Sequence, residues 1–115
     1  MSVTIYHLPR CSTSRKVLAA IRDTGIEPII IEYVKNPPSR DDLRRIARDS
    51  GLGVRGMLRQ QNTPYAELGL ADPELDDEQL LDAIEAHPIL LNRPIVAGPK
   101  GTRLVRPITL LDEVI

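Results

Sequence analysis

The spacing of hydrophobic positions changes several times along the chain, and each change predicts an element. In VTIYHL (3–8), Val3 and Ile5 alternate with Thr4 and Tyr6, the period of a strand, and Pro9 stops it. STSRKVLAAIRDTG places Val17, Leu18 and Ile21 on one helical face; Ser12 or Thr13 can cap its start, and Gly25 suits its end. PIIIEY (28–33) is a short run rich in β-branched residues, bounded by Pro28, and predicts a buried strand. Strand, helix, strand is the opening of an α/β unit with a right-handed crossover.

NPPS (36–39) breaks that pattern. Ser39 can cap RDDLRRIARDSG, a helix with acidic residues in its first turn, basic ones later, and an apolar stripe of Leu43, Ile46 and Ala47. GVRGMLR (53–59) has Val54, Met57 and Leu58 at helical spacing, and YAELGL reads as a further helical turn. DDEQLLDAIEAHP (76–88) is a helix capped by Asp76 or Asp77 and stopped by Pro88. Residues 36–92 thus read as a helical insert. RPIVAG (93–98) and TRLVRP (102–107) flank GPKG as a hairpin, and TLLDEVI closes the chain as a short helix. The expected architecture is an α/β β-α-β…β-β-α sheet with the insert between its second and third strands. Residues 1–115 are read as a single domain.

Composition narrows the function classes. The 115 residues are 42% hydrophobic and 27% charged, with no Trp, no Phe and only Tyr6, Tyr33 and Tyr65 as aromatics, so Leu, Ile, Val and Ala must build the core. The net charge of −1 and the missing stacking platforms exclude an evident nucleic-acid footprint. No apolar run reaches membrane-spanning length, and the opening MSVTIYHL lacks the features of a signal peptide. With one cysteine no internal disulfide can form; the expectation is a cytoplasmic monomer with a free thiol.

That thiol, Cys11, stands at the predicted strand-to-helix turn in YHLPRCSTSRK. Unsatisfied N–H groups and the positive end of a helix dipole converge there, and both favour thiolate. Arg10, Arg15 and Lys16 act in the same direction if they face the sulfur, and His7 is a candidate charge partner. A lone cysteine is commonly a small buried hydrophobe. Pro9, Arg10, Ser12 and Thr13, however, would make a poor apolar shell. Ser14 excludes a C-x-x-C redox pair, and Val17 excludes the C-x5-R loop of phosphatase-like thiol enzymes. One Cys and two His without clustered spacing give no zinc site. Met57 is assigned to the core and His87 to a helix end.

The arginines divide into two groups. Arg22, Arg40, Arg44, Arg45 and Arg48 have the spacing of salt-bridged helix faces. Arg59, Arg93, Arg103 and Arg106 come from the insert and the hairpin, and planar guanidinium groups match tetrahedral oxyanions through paired hydrogen bonds. In order along the chain, YHLPRCSTSRK, NPPSRDDL, VRGMLR, PYAELGL, HPILLNRPIV and GTRLVRP together resemble the glutaredoxin-coupled arsenate reductases. The resemblance covers nearly the whole chain. It implies a thioredoxin-like fold, with Cys11 as the catalytic cysteine and His7 helping to keep it ionised. Arg59, Arg93 and Arg106 match the three oxyanion-binding arginines, while Pro94, Ser12, Ser14 and Arg15 are structural at the site. It further implies a cis Arg93–Pro94 bond opposite the thiol, which would turn Arg93 toward Cys11. Two positions depart from the family form: Leu8 replaces Asn, and Ser12 replaces Gly and offers a hydroxyl donor.

The activity implied is reduction of arsenate to arsenite through a covalent Cys11 adduct, with glutathione as co-substrate, glutaredoxin as the resolving partner and no tightly bound cofactor. The absence of a second cysteine independently demands an external reductant. Two alternatives stand beside this reading. One is a glutathione-linked thiol transferase with another substrate. The other is a non-enzymatic thiol-stress regulator that binds RNA polymerase, a class that typically carries the C-x-x-C that Ser14 removes.

Overall fold

The structure, a computed structural model describing residues 2–115, runs β1 (Thr4–His7), α1 (Ser12–Asp23), β2 (Ile29–Glu32), α2 (Arg40–Ser50), α3 (Gly53–Gly56) and α4 (Asp77–Ala86). A 3-10 turn at Pro88–Leu90, β3 (Ile95–Gly98), β4 (Gly101–Leu104) and a 3-10 segment at Ile108–Glu113 complete it. The chain forms two compact units, one from the segment ending at Asn36 together with Arg93–Ile115, the other from Pro37–Asn92.

The first unit holds a four-stranded sheet in the order β2-β1-β3-β4. β1 runs parallel to β2, with Ile5 opposite Ile30, and antiparallel to β3, with Ile5 opposite Val96. The β3–β4 hairpin therefore returns beside the first strand. Its core gathers Val3 and Ile5 from the β1 segment, Val17 and Ile21 from α1, Val96 and Val105 from the hairpin, and Leu111 and Val114 from the C-terminal segment. Each such aliphatic side chain contributes about 1.5–3 kcal/mol on burial. Gly98 is required where the hairpin meets that segment: a Cβ there would stand 2.7 Å from the Val114 carbonyl oxygen. The Arg93–Pro94 bond is cis, as is Arg106–Pro107, which the sequence had not singled out.

One expectation is overturned here. PIIIEY was read as a buried strand, but β2 is the sheet edge, and Ile29 and Ile30 are 54% and 36% exposed. An edge strand has a neighbour on one side only, and a β-branched run meets the strand preference whether or not it is buried.

In the second unit, Ser39 caps α2 by accepting from the Asp42 N–H, and Gly51 closes it in the left-handed region at φ 74°. Asp76 and Gln79 form a reciprocal capping box at the start of α4. Leu43 and Ile46 of α2, Val54 of α3, and Leu80, Leu81 and Ile84 of α4 are buried, as are Met57, Leu90 and Leu91. Arg40 fans across α4, forming ion pairs with Glu78, Asp82 and Glu85, and Arg44 also pairs with Glu78. YAELGL is not helical but a series of turns. Arg55 holds the chain beyond it, donating to the carbonyls of Leu70, Asp72 and Leu75 at 2.8, 2.9 and 3.3 Å.

Candidate active site

Cys11 is the residue immediately before α1, with φ −89° and ψ 120°. Its own N–H donates to the Leu8 carbonyl at 2.9 Å, which folds Leu8–Cys11 into a tight turn off the end of β1. Cys11 thereby occupies the N-cap position, where the first free N–H groups of the helix lie, although its side chain makes no capping hydrogen bond. Burial pushes the Cys11 thiol up, but other groups outweigh it. The Ser14 N–H, the guanidinium groups of Arg93 and Arg106, and the Thr13 N–H all favour the charged form, and the thiol lies below its ordinary value of 9.0. Arg106 Nη1 stands 3.8 Å from Cys11 Sγ and donates to the Arg93 carbonyl at 3.0 Å. Arg93 is 8% exposed and Pro94 is buried beside it.

The cations nearest in sequence are not those that engage the sulfur. Arg15 turns back to donate to the Pro9 carbonyl at 2.8 Å, bracing the loop instead. Ser12 is exposed at the first position of α1. Arg103 pairs with Glu113 at 3.3 Å. The acidifying charges come from the far end of the sequence, where β3 and β4 present residues 93 and 106.

His7 differs from the charge partner envisaged. Burial is the main cause that drives its pKa below 6.5; Glu32 opposes this, and Arg15 and Arg22 reinforce it. The ring is therefore mostly neutral at pH 7. Its Nδ1 lies 2.6 Å from Ser14 Oγ, and that same oxygen accepts from the Leu8 N–H at 3.2 Å. Ser14 is fully buried. His7 thus bonds Ser14, whose N–H favours the Cys11 thiolate, and its lowered pKa disfavours the cation. Only the serine at position 14, where a second cysteine would otherwise stand, hinted at this hub.

Arg59 lies in the second unit, directly after an isolated bridge between Leu58 and Leu91. Its N–H donates to the Leu90 carbonyl at 2.7 Å, and its Nη1 lies 3.4 Å from Asn92 Oδ1. Among the described residues no group of three or more His, Cys, Asp or Glu could hold a metal ion. Among the described residues no helix is long and apolar enough to cross a membrane.

A helix start and two guanidiniums thus lower the pKa of this thiol, and the chain can be compared with known proteins along its whole length. An "Arsenate reductase" of Rhizobium meliloti (strain 1021) is 55% identical over 115 residues, spanning 100% of this chain and 82% of the relative. One from Escherichia coli, carrying the same name, is 50% identical over 114 residues, 99% of this chain and 81% of the relative. The solved structure of an arsenate reductase from Vibrio cholerae superposes with a TM-score of 0.94 at 41% identity, covering 100% of this chain and 98% of that one. These neighbours share the thioredoxin-like fold that the resemblance implied. The ArsC family model matches residues 6–111, and with full-length identity of this extent the chain belongs to the ArsC family.

Proposed function

We propose that this protein is an arsenate reductase that works through a covalent Cys11 adduct and takes its electrons from glutathione and glutaredoxin. The observation that supports this most directly is the Cys11 sulfur at the start of α1, its pKa lowered beside two guanidiniums, with Arg106 Nη1 at 3.8 Å. Arsenate near neutral pH is mostly a dianion, and a thiolate approaching it meets like charge. Fixed cations and N–H groups oriented before reaction remove that repulsion and stabilise charge as it develops. Arg59 is the third guanidinium of the proposed oxyanion set.

In the first step the Cys11 thiolate attacks arsenic. A sulfur–arsenic bond forms and one arsenate oxygen leaves, protonated, as water. Glutathione then takes over the adduct. When the sulfur–arsenic bonding is exchanged for a Cys11–glutathione disulfide, the two bonding electrons stay on arsenic, which departs as arsenic(III). Glutaredoxin resolves the mixed disulfide by attack on the glutathione sulfur, releasing Cys11 as thiolate. The single cysteine makes both outside thiols necessary.

The test is arsenate-dependent NADPH oxidation coupled through glutaredoxin and glutathione reductase. Turnover by the parent, loss of it in Cys11→Ser, and loss of it when glutathione is omitted are expected. Turnover in Cys11→Ser near the parent's level would place the chemistry elsewhere.

A further inference from the structure

Beside the thiol turn lies a cavity of about 310 Å³ lined by His7, Leu8, Pro9, Arg10, Glu32, Val34 and Lys35. It belongs wholly to the first unit. The volume is at the lower end of the roughly 300–1,000 Å³ that small-molecule sites occupy. Its floor is apolar, with Leu8 buried and Val34 41% exposed. Its rim carries two cations, Arg10 and Lys35, and one anion, Glu32. The Leu8 carbonyl that bonds the Cys11 N–H belongs to a lining residue, so the cavity adjoins the turn that carries Cys11.

This combination specifies an occupant. The single cysteine requires a second thiol from outside, delivered next to Cys11. The rim asks for two negative groups and one positive group around a small, partly apolar body. A thiol tripeptide with two carboxylates and one ammonium, the charge pattern of glutathione, matches on sign and number. Lys35 and Glu32 stand 3.7 Å apart with side chains 76% and 38% exposed. So long and wet a pair contributes little to stability, and a zwitterion can replace each half with its own opposite charge.

We propose that this cavity is the subsite that seats the external thiol, with Lys35 and Arg10 holding its carboxylates, Glu32 its ammonium, and Leu8, Pro9 and Val34 its apolar surface. This rests on the proposed thiol chemistry of Cys11, but its test does not need arsenate. Glutathione disulfide is mixed with the reduced protein and formation of the Cys11 mixed disulfide is followed by mass. In this exchange the Cys11 thiolate attacks one sulfur, one disulfide forms as another breaks, and one glutathione thiolate leaves. The same reaction with uncharged 2-hydroxyethyl disulfide reports the intrinsic reactivity of Cys11.

Lys35→Glu is expected to slow the glutathione disulfide reaction about tenfold while leaving the uncharged disulfide within about twofold. Lys100→Glu, the same charge reversal on the exposed β3–β4 turn, is expected to change neither. Equal slowing with both disulfides, no slowing with either, or equal slowing in Lys100→Glu would each overturn the subsite. Run in parallel, the coupled arsenate assay separates the two claims. A selective Lys35→Glu effect without any parent arsenate turnover keeps the subsite and removes the arsenate reading. Parent turnover with a glutathione KM unchanged in Lys35→Glu removes the subsite alone.

Discussion

Replacing Arg106 tests the candidate site most directly, because this side chain reaches the sulfur from the opposite end of the sequence. Its Nη1 makes two contacts, with Cys11 Sγ at 3.8 Å and with the Arg93 carbonyl at 3.0 Å. Arg106→Ala removes a cation from the thiolate and from any anion beside it, and frees the carbonyl that precedes Pro94. A hydrogen bond to a charged group contributes about 1.5–3 kcal/mol net. If that is realised in the transition state, kcat/KM for arsenate falls about ten- to a hundredfold. Arg106→Lys keeps the charge but loses the planar fork, so an intermediate loss is expected. Initial rates over a range of arsenate concentrations give kcat and KM, and circular dichroism verifies that each variant is folded. The control is Arg44→Ala on α2. It breaks exposed ion pairs with Asp41 and Glu78 and is expected to cost under about 1 kcal/mol of stability with no loss of kcat/KM. If Arg106→Ala keeps kcat/KM within twofold of the parent while folded, the guanidinium is not part of the chemistry, and the oxyanion reasoning fails.

Iodoacetamide labelling of Cys11 should inflect below the ordinary thiol range and shift upward in Arg106→Ala, since the Ser14 N–H and both guanidiniums favour thiolate against the cost of burial. An inflection at the ordinary value of 9.0 in the parent would contradict this. His7 prefers to be neutral in the folded state, so the unfolded chain binds more protons just below pH 6.5. Stability should therefore fall as the pH drops through that region, and denaturant titrations of His7→Gln should show a shallower fall; an identical slope would count against the assignment. Gly98→Ala should lower the Tm by roughly 5–15 °C, because the new Cβ meets backbone at Val114 and overpacking costs about 1–3 kcal/mol. An unchanged Tm would mean the C-terminal segment yields without cost.

The parts of this fold that were legible in the sequence were written in local patterns. Period two in VTIYHL, the stripe of Val17 and Ile21 and the Gly/Pro turn of the hairpin depend on neighbours a few residues apart. What failed depended on distant partners. PIIIEY could show that a strand forms, but not that no strand pairs on its far side. YAELGL has helix formers, yet Gly69, at φ 67°, interrupts it. Arg55, with the look of an ordinary surface charge, ties the following turns down through three carbonyls. The site followed the same rule. Cys11 could be chosen from its position alone, but the neighbouring Arg15 was a poor guide, since it bonds the Pro9 carbonyl. The resemblance placed Arg93 and Arg106 at the site, and only the sheet order explains how residues more than eighty positions away reach the thiol.

The acidity of Cys11 has a consequence for the whole proposed cycle. Lowering a thiol pKa raises the thiolate fraction but weakens each thiolate as a nucleophile, with a Brønsted coefficient of about 0.4–0.5. For attack alone the gain therefore diminishes once the thiol is mostly ionised. For departure it does not, because a more stable thiolate leaves a disulfide faster. In a chain with one cysteine, every turnover must end with Cys11 leaving a disulfide to an outside thiol. In the proposed cycle, the groups that favour its thiolate, the Ser14 and Thr13 N–H groups with Arg93 and Arg106, would thus serve resolution as well as attack. Arg106→Ala should accordingly slow both formation of the arsenic adduct and reduction of a preformed Cys11–glutathione disulfide. Stopped-flow reduction of the purified mixed disulfide isolates the second step. A loss confined to the arsenate reaction would mean that Arg106 serves the oxyanion and not the sulfur.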